Sequence, residues 1–118
     1  GMDLHPDALF SALGHPTRLR CLMLLLQQPE LCVCDLTGVI GESQPHLSRH
    51  LARLRALGLV RDRREGVWIH YRLNPEIPLW AYQVLRATQD GAAELAPYCD
   101  DRHLIEEMEL TRRKGCCS

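Results

Sequence analysis

Leu47, Leu51, Leu54 and Leu57 recur at spacings of four, three and three, and Gly58 follows them at once. A stripe that narrow, at that period, is the buried edge of a helix, and a glycine just past its end is a stop signal. Ser43 supplies an N-cap and Pro45 falls in the permissive first turn, so the helix is expected over 43–57. Beyond Gly58 the period changes. Leu59-Val60-Arg61 and Val67 through Leu73 read as two strands, with Arg63-Arg64-Glu65-Gly66 between them as a glycine-containing hairpin turn. Few folds place a one-sided helix directly before a short hairpin.

The flanking segments narrow the choice. Residues 7–13 form a short helical pattern carrying Leu9, Phe10 and Leu13, which Gly14-His15 breaks. Pro16 opens a second helix to about 27, with Leu19, Leu22, Met23 and Leu26 at helical spacing. Cys21 lies in it and reads as a core residue. Pro29 ends that segment. A third helix over about 32–40 turns Val33, Leu36 and Ile40 inward, and Gly41-Glu42 is a turn. A long helix from 78 to 89 or further carries Leu79, Trp80, Val84 and Leu85 before Pro97 interrupts. A last helix runs from Asp100 to Lys114, with acids first, bases last and Gly115 after it, as the macrodipole favours. The expected fold is mainly α with a small β-hairpin wing, a winged helix-turn-helix. At 118 residues the chain fits one folded core. Residues 2–97 form the DNA-binding and dimerisation domain in this reading, and 98–118 a C-terminal helical tail with vicinal cysteines.

Charge points to the same face. The net charge is −1. Yet residues 43–73 hold seven arginines against two acids, a net +5, while 1–42 and 74–118 carry −3 each. Arginine suits bidentate contact with phosphate and guanine. The face of the 43–57 helix opposite its leucines offers Gln44, His46, Ser48, Arg49, His50 and Arg53. Its N-terminal residues would address base edges in a major groove, and Arg61, Arg63 and Arg64 would bring the wing to phosphate or the minor groove. Double-stranded DNA is the expected partner. No apolar run approaches the roughly 20 residues of a membrane span, and no leader pattern opens the chain, so no membrane partner and a cytoplasmic setting are expected.

The segments Leu13-Gly14-His15-Pro16-Thr17-Arg18-Leu19-Arg20 and Ser43-Gln44-Pro45-His46-Leu47-Ser48-Arg49-His50-Leu51, with Gly58-Leu59-Val60 leading into the hairpin, resemble the ArsR/SmtB family of metal-sensing repressors. The likeness covers about residues 5–95. It implies a homodimer joined through the first helix and the helix from 78, with two recognition helices on a palindromic operator. The apolar character of 78–89, with Trp80 and Tyr82, independently exceeds what so small a monomer readily covers.

Six cysteines, Cys21, Cys32, Cys34, Cys99, Cys116 and Cys117, are read as free thiols rather than a disulfide framework. Glu30-Leu31-Cys32-Val33-Cys34-Asp35-Leu36 resembles the motif of the family's arsenic-sensing branch. Soft thiolates select soft ions, so Cys32 and Cys34 are the expected ligands of As(III) or Sb(III) as inducer, with no organic cofactor. Two expectations concern geometry. A thiol in the first turn of a helix should have a lowered pKa. Residues i and i+2 also stand about 200° apart around an ideal helix, so ion binding should unwind that turn. The arsenic sensors can carry a third cysteine where this chain has Thr37; Cys99, Cys116 and Cys117 are the remaining candidates for a third ligand. A zinc site is disfavoured, since 77–95 holds no histidine and His103 with Glu106 lies on the tail. Cadmium or lead sensing, a thiol redox repressor, a ligand-free DNA-binding module, and a thiol oxidoreductase or arsenate reductase remain alternatives. The enzyme reading lacks a Cys-x-x-Cys pair and an anion loop.

Overall fold

The computed structural model describes residues 3–113. The elements are α1 (Pro6–Leu13), α2 (Pro16–Gln27), β1 (Leu31–Cys32), α3 (Val33–Ile40), α4 (Gln44–Ala56), β2 (Val60–Glu65), β3 (Trp68–Leu73), α5 (Leu79–Ala92) and α6 (Tyr98–Arg113). Pro6 and Pro16 open the first two helices, where a missing N–H costs nothing. The His15 ring caps α2 by accepting from the Thr17 N–H at 3.2 Å. The Ser43 hydroxyl caps α4 by accepting from the His46 N–H at 3.4 Å. Between α3 and α4 the chain turns at Gly41, whose φ of +82° is a conformation that a side chain would strain. The same need places Gly66, at φ +63°, in the hairpin turn.

Leu47, Leu51 and Leu54 are fully buried, as their spacing predicts, while Leu57 is half-buried at the end of α4. They meet Leu9, Leu22, Leu36, Leu59 and Leu85 in one core. Cys21 belongs to that core, and burial pushes its thiol up to about 12, which leaves it unreactive. Val33, Leu36 and Ile40 face inward as well.

The sheet differs from the sequence expectation by one strand. Its order is β1-β3-β2, all antiparallel. Leu31 pairs with Tyr71 and Cys32 with His70, so the wing is stitched back to the segment before α3. A two-residue strand carries no periodicity, which is why the pattern 59–73 alone suggests a simple hairpin. Cys32 therefore sits in a strand, and α3 begins one residue later than expected. The first wing strand extends further toward the turn, to Glu65, while the second begins at Trp68, one residue later than expected.

α6 begins at Tyr98, two residues before the expected start, and packs on α2 and α3. Ile105 is its core anchor. Arg20 of α2 forks onto Asp101 with two bonds of 2.8 Å, and the Asp101 carboxylate is almost fully covered. Among the described residues no helix is long and apolar enough to cross a membrane. Replacing Asp101 by alanine leaves the Arg20 guanidinium without its partner. Asp101→Ala should cost about 3 kcal/mol of unfolding free energy in denaturant titration; a loss under about 0.5 kcal/mol would mean that the Arg20–Asp101 pair does not hold α6.

Candidate functional site

The thiol site grows out of the start of α3. Cys32 is the N-cap, with extended backbone at φ −70° and ψ 150°. Its sulfur accepts from the Cys34 N–H at 3.4 Å, and the Asp35 carboxylate reaches back to accept from the Cys32 N–H at 3.1 Å. This reciprocal cap follows the spacing of a capping box, with a thiol in the place of a hydroxyl. The other Asp35 oxygen accepts from Arg112 of α6 at 2.6 Å. Cys32 is buried and Cys34 exposed, and the two sulfurs are 2.7 Å apart.

Two expectations are corrected here. The 200° argument holds for two residues inside a helix, but Cys32 lies outside it, so the sulfurs meet with α3 intact. The Cys34 thiol is not acidified. Lost hydration, the hydrogen bond to Cys32, and the charges of Cys32 and Asp35 push it up to about 11. Lost hydration first, then the sulfur and the carboxylate beside it, outweigh the dipole of an eight-residue helix.

Strand alternation places Cys32, His70 and Trp68 on one face of the sheet, since Cys32 stands opposite His70 and Trp68 is two residues before it. This face lines an open cleft of about 440 Å³ together with Cys34, Glu65 and the Asp35–Arg112 pair. Glu30 lies at its rim, 3.8 Å from the His70 ring. Cys99 is not brought here. It is near the other end of α6, thirteen residues or about 20 Å along the axis from Arg112. Cys116 and Cys117 lie outside the described residues. Asp35 was legible as the third residue after a cap; Arg112 and His70 had no sequence signal.

The residues expected to face DNA divide. Gln44, His46, Arg49 and Arg53 are exposed along α4, and Ser48 is half-buried. His50 is turned back toward α2. Its ring lies 4.2 Å from the His15 ring, centre to centre, and its Nδ1 is 3.4 Å from Arg18 Nη1. Lost hydration, then His15 and Arg18, hold its pKa below the usual 6.5. His46 faces Glu42 at 3.3 Å, and the Thr17 hydroxyl donates to the same carboxylate. These contacts fix the start of α4 against α2.

The basic block is partly neutralised within the fold. Arg55 pairs with Asp62 at 2.7 Å and Arg61 with Glu76. Arg63 forks onto Glu30, with its shortest bond 2.6 Å, and also meets Glu65 at 2.7 Å. Glu30 is accordingly held below the usual carboxylate range by Arg63. Among the described residues, the side chains of Arg49, Arg53, Arg64 and Arg72 make no hydrogen bond or salt bridge. Of the three wing arginines expected to reach DNA, only Arg64 is without an internal partner.

The pattern known as "Bacterial regulatory protein, arsR family" matches residues 15–62, from the α2 cap through α4 into β2. The arsenic resistance transcriptional regulator ArsR2 of Pseudomonas putida is 47% identical over 114 residues, covering 95% of this chain and 97% of that one. The chain belongs to the arsR family. The arsenical resistance operon repressor of Escherichia coli is 51% identical over 82 residues, 70% of each chain. Among solved structures, the transcriptional repressor BigR from Xylella fastidiosa superposes with a TM-score of 0.60 at 37% identity, covering 69% of this chain and 79% of that one. The antimony-specific transcriptional repressor AntR does so with 0.59 at 31%, covering 86% and 78%. This arsR-family chain is thus a winged-helix transcriptional regulator and not an enzyme.

Two measurements check the charge and proton assignments. On an operator duplex, Arg64→Ala and Arg49→Ala should each flatten the salt dependence of affinity by about one counterion, while Arg61→Ala changes it little. An equal effect from Arg61→Ala would show that Glu76 does not hold that side chain. Because the folded pKa of His50 lies below 6.5, its neutral form contributes stability above that pH, and this is lost as the pH falls through the folded value. The melting temperature of the wild type should therefore drop more between pH 7 and 5 than that of His50→Gln; parallel curves would contradict this.

Proposed function

We propose that this chain is a homodimeric repressor that holds operator DNA and releases it when Cys32 and Cys34 together bond As(III) or Sb(III). The observation that carries this reading is the Cys32–Cys34 contact, 2.7 Å between sulfurs, set at the cap of the helix before α4. Two touching thiols of one soft type fit a soft trivalent centre and suit harder ions poorly. Relatives named for arsenic resistance and a structural neighbour named for antimony support the same inducer class.

The α4 residues Gln44, His46, Ser48, Arg49 and Arg53 address the major groove in this reading, with His50 positioning the helix from behind. Arg64 leads the wing to phosphate, and Arg63 follows when Glu30 lets it go. Phe10 on α1 and Leu79, Trp80 and Tyr82 on α5 expose large apolar surface, which supports a second copy on that face. Residues 2–97 carry DNA binding and dimerisation in this reading, with α6 packed onto them, and the protein acts in the cytoplasm.

Release follows from what the thiols do in the fold. The Cys32 sulfur caps α3, so drawing it into bonds with a soft centre removes the acceptor of the Cys34 N–H. The Asp35 carboxylate and β1 share that cap, and β1 is the strand that ties the wing through His70. The inducer must bind the DNA-free form more tightly, by about 1–3 kcal/mol in typical coupling. A gel shift with the upstream operator region should show arsenite weakening the complex about 5- to 150-fold, with Cys32→Ser and Cys34→Ser unresponsive and peroxide without effect. Arsenite leaving the complex intact would end this reading, and release by peroxide alone would replace it with a redox sensor.

A further inference from the structure

Arg18 of α2 reaches two other helices at once. Its Nε donates to the Ala12 carbonyl at 3.0 Å and its Nη2 to the Ser11 carbonyl at 3.1 Å. Both carbonyls lie in the last turn of α1, where helix carbonyls run out of N–H partners. The remaining nitrogen, Nη1, stands 3.4 Å from the His50 Nδ1 in the middle of α4. A guanidinium can only donate, so this contact is a bond only while Nδ1 carries no proton. One rigid fork thus ties the C-terminal end of α1 to the back of α4. All three of its nitrogens are engaged within the fold.

The two ends of that fork matter to operator reading. α1 carries the exposed Phe10 of the face read above as the joint between copies, and α4 carries the groove residues. A dimer meets two half-sites only if each recognition helix keeps a fixed angle to the joint. The contact is also exposed to protons. Facing His50 are His15 at the α2 cap, with ring centres 4.2 Å apart, Arg18, Glu42 from the turn before α4, and His46 on α4 itself, 6.1 Å away. Arg53, one turn along α4, acts on Arg18. The one carboxylate among these, Glu42, already accepts from the Thr17 hydroxyl and faces His46. A proton on His50 removes the acceptor and sets a cation against the guanidinium.

We propose that Arg18 is a positioning residue for operator recognition, a fork that seats α4 at a fixed angle to α1 through neutral His50 and contacts no phosphate. This rests on the repressor reading above and adds the side chain that sets the helix angle. Losing the fork weakens binding to the operator and spares unrelated DNA, because phosphate contacts serve every sequence and the helix angle serves base readout alone. Acid acts in the same direction. The neutral ring holds the contact above the folded pKa of His50, which lies below 6.5, and the contact is lost as the pH falls through that value. The added charge meanwhile favours any duplex.

Fluorescence anisotropy of the full chain tests this on two duplexes: the upstream-region fragment that the gel shift retains, and a scrambled duplex of equal length and composition. Arg18→Gln should weaken binding to the fragment about tenfold, the worth of one hydrogen bond to a charged group, and leave the scrambled duplex and the salt slope unchanged. Arg18→Lys keeps the charge but cannot fork, so it should lose about as much, and it is the variant to read if Arg18→Gln fails to fold. Equal weakening on both duplexes, with the salt slope falling by about one counterion, overturns the proposal and makes Arg18 a phosphate contact. Between about pH 7.5 and 5, the wild-type preference for the fragment should shrink at least about threefold, and His50→Asn, whose amide oxygen accepts at either pH, should show a flatter profile. Parallel profiles overturn the proposal as well. A wild type that prefers neither duplex at any pH overturns the repressor reading itself, a different result from a preference that Arg18→Lys and His50→Asn leave untouched.

Discussion

One carboxylate joins three elements of this protein. Asp35 accepts from the Cys32 N–H with one oxygen and from Arg112 with the other, at 3.1 and 2.6 Å. The first bond ends β1 and starts α3; the second brings α6 across 77 residues of sequence onto that start. The Cys32 sulfur completes the cap by taking the Cys34 N–H. A helix N-terminus needs acceptors for its free N–H groups, and here one of the two acceptors is a thiol. In the function proposed above, the same atom holds the local fold and senses the inducer. In the proposed mechanism it cannot do both fully at once, and that conflict is the coupling.

The wing shows a second shared group. Glu30 lies two residues before Cys32 and binds Arg63 of β2, whose cross-strand neighbour is His70, the partner of Cys32. One of the wing arginines is thereby tied to the segment that carries the thiols. In the proposed mechanism, communication from thiol to DNA has two physical routes, through α3 packed on α4 and through the ladder into the wing. Neither requires large motion, since each runs through a contact of a few ångströms that is either made or broken.

Much of this was legible in the residues. The leucines of α4, the prolines that open α1 and α2, Gly41 and Gly66 each impose a local rule strong enough to survive the tertiary context. The Cys32–Cys34 pair and the basic third were also visible. What escaped was whatever depends on distant partners. β1 is too short to show a period, so the place of Cys32 in a strand was hidden, and with it the contact between the two sulfurs. The thiol acidity was misjudged because a general rule about helix starts gave way to lost hydration and then to a sulfur and a carboxylate a few ångströms away. Nor does a run of arginines reveal that Glu30, Asp62, Glu65 and Glu76 occupy three of them. The exposed face of α4 was read correctly in outline, except that His50 supports the helix from within.

The central claim is that the thiol pair and the α3 cap are one device. Amide hydrogen exchange of the full chain, followed with and without stoichiometric arsenite, tests it most directly. The account predicts that protection at the Cys32 and Cys34 N–H groups collapses on binding, while the amides of Leu51 and Leu54 in α4 keep theirs. Unchanged exchange at Cys32 and Cys34 with arsenite bound would contradict it.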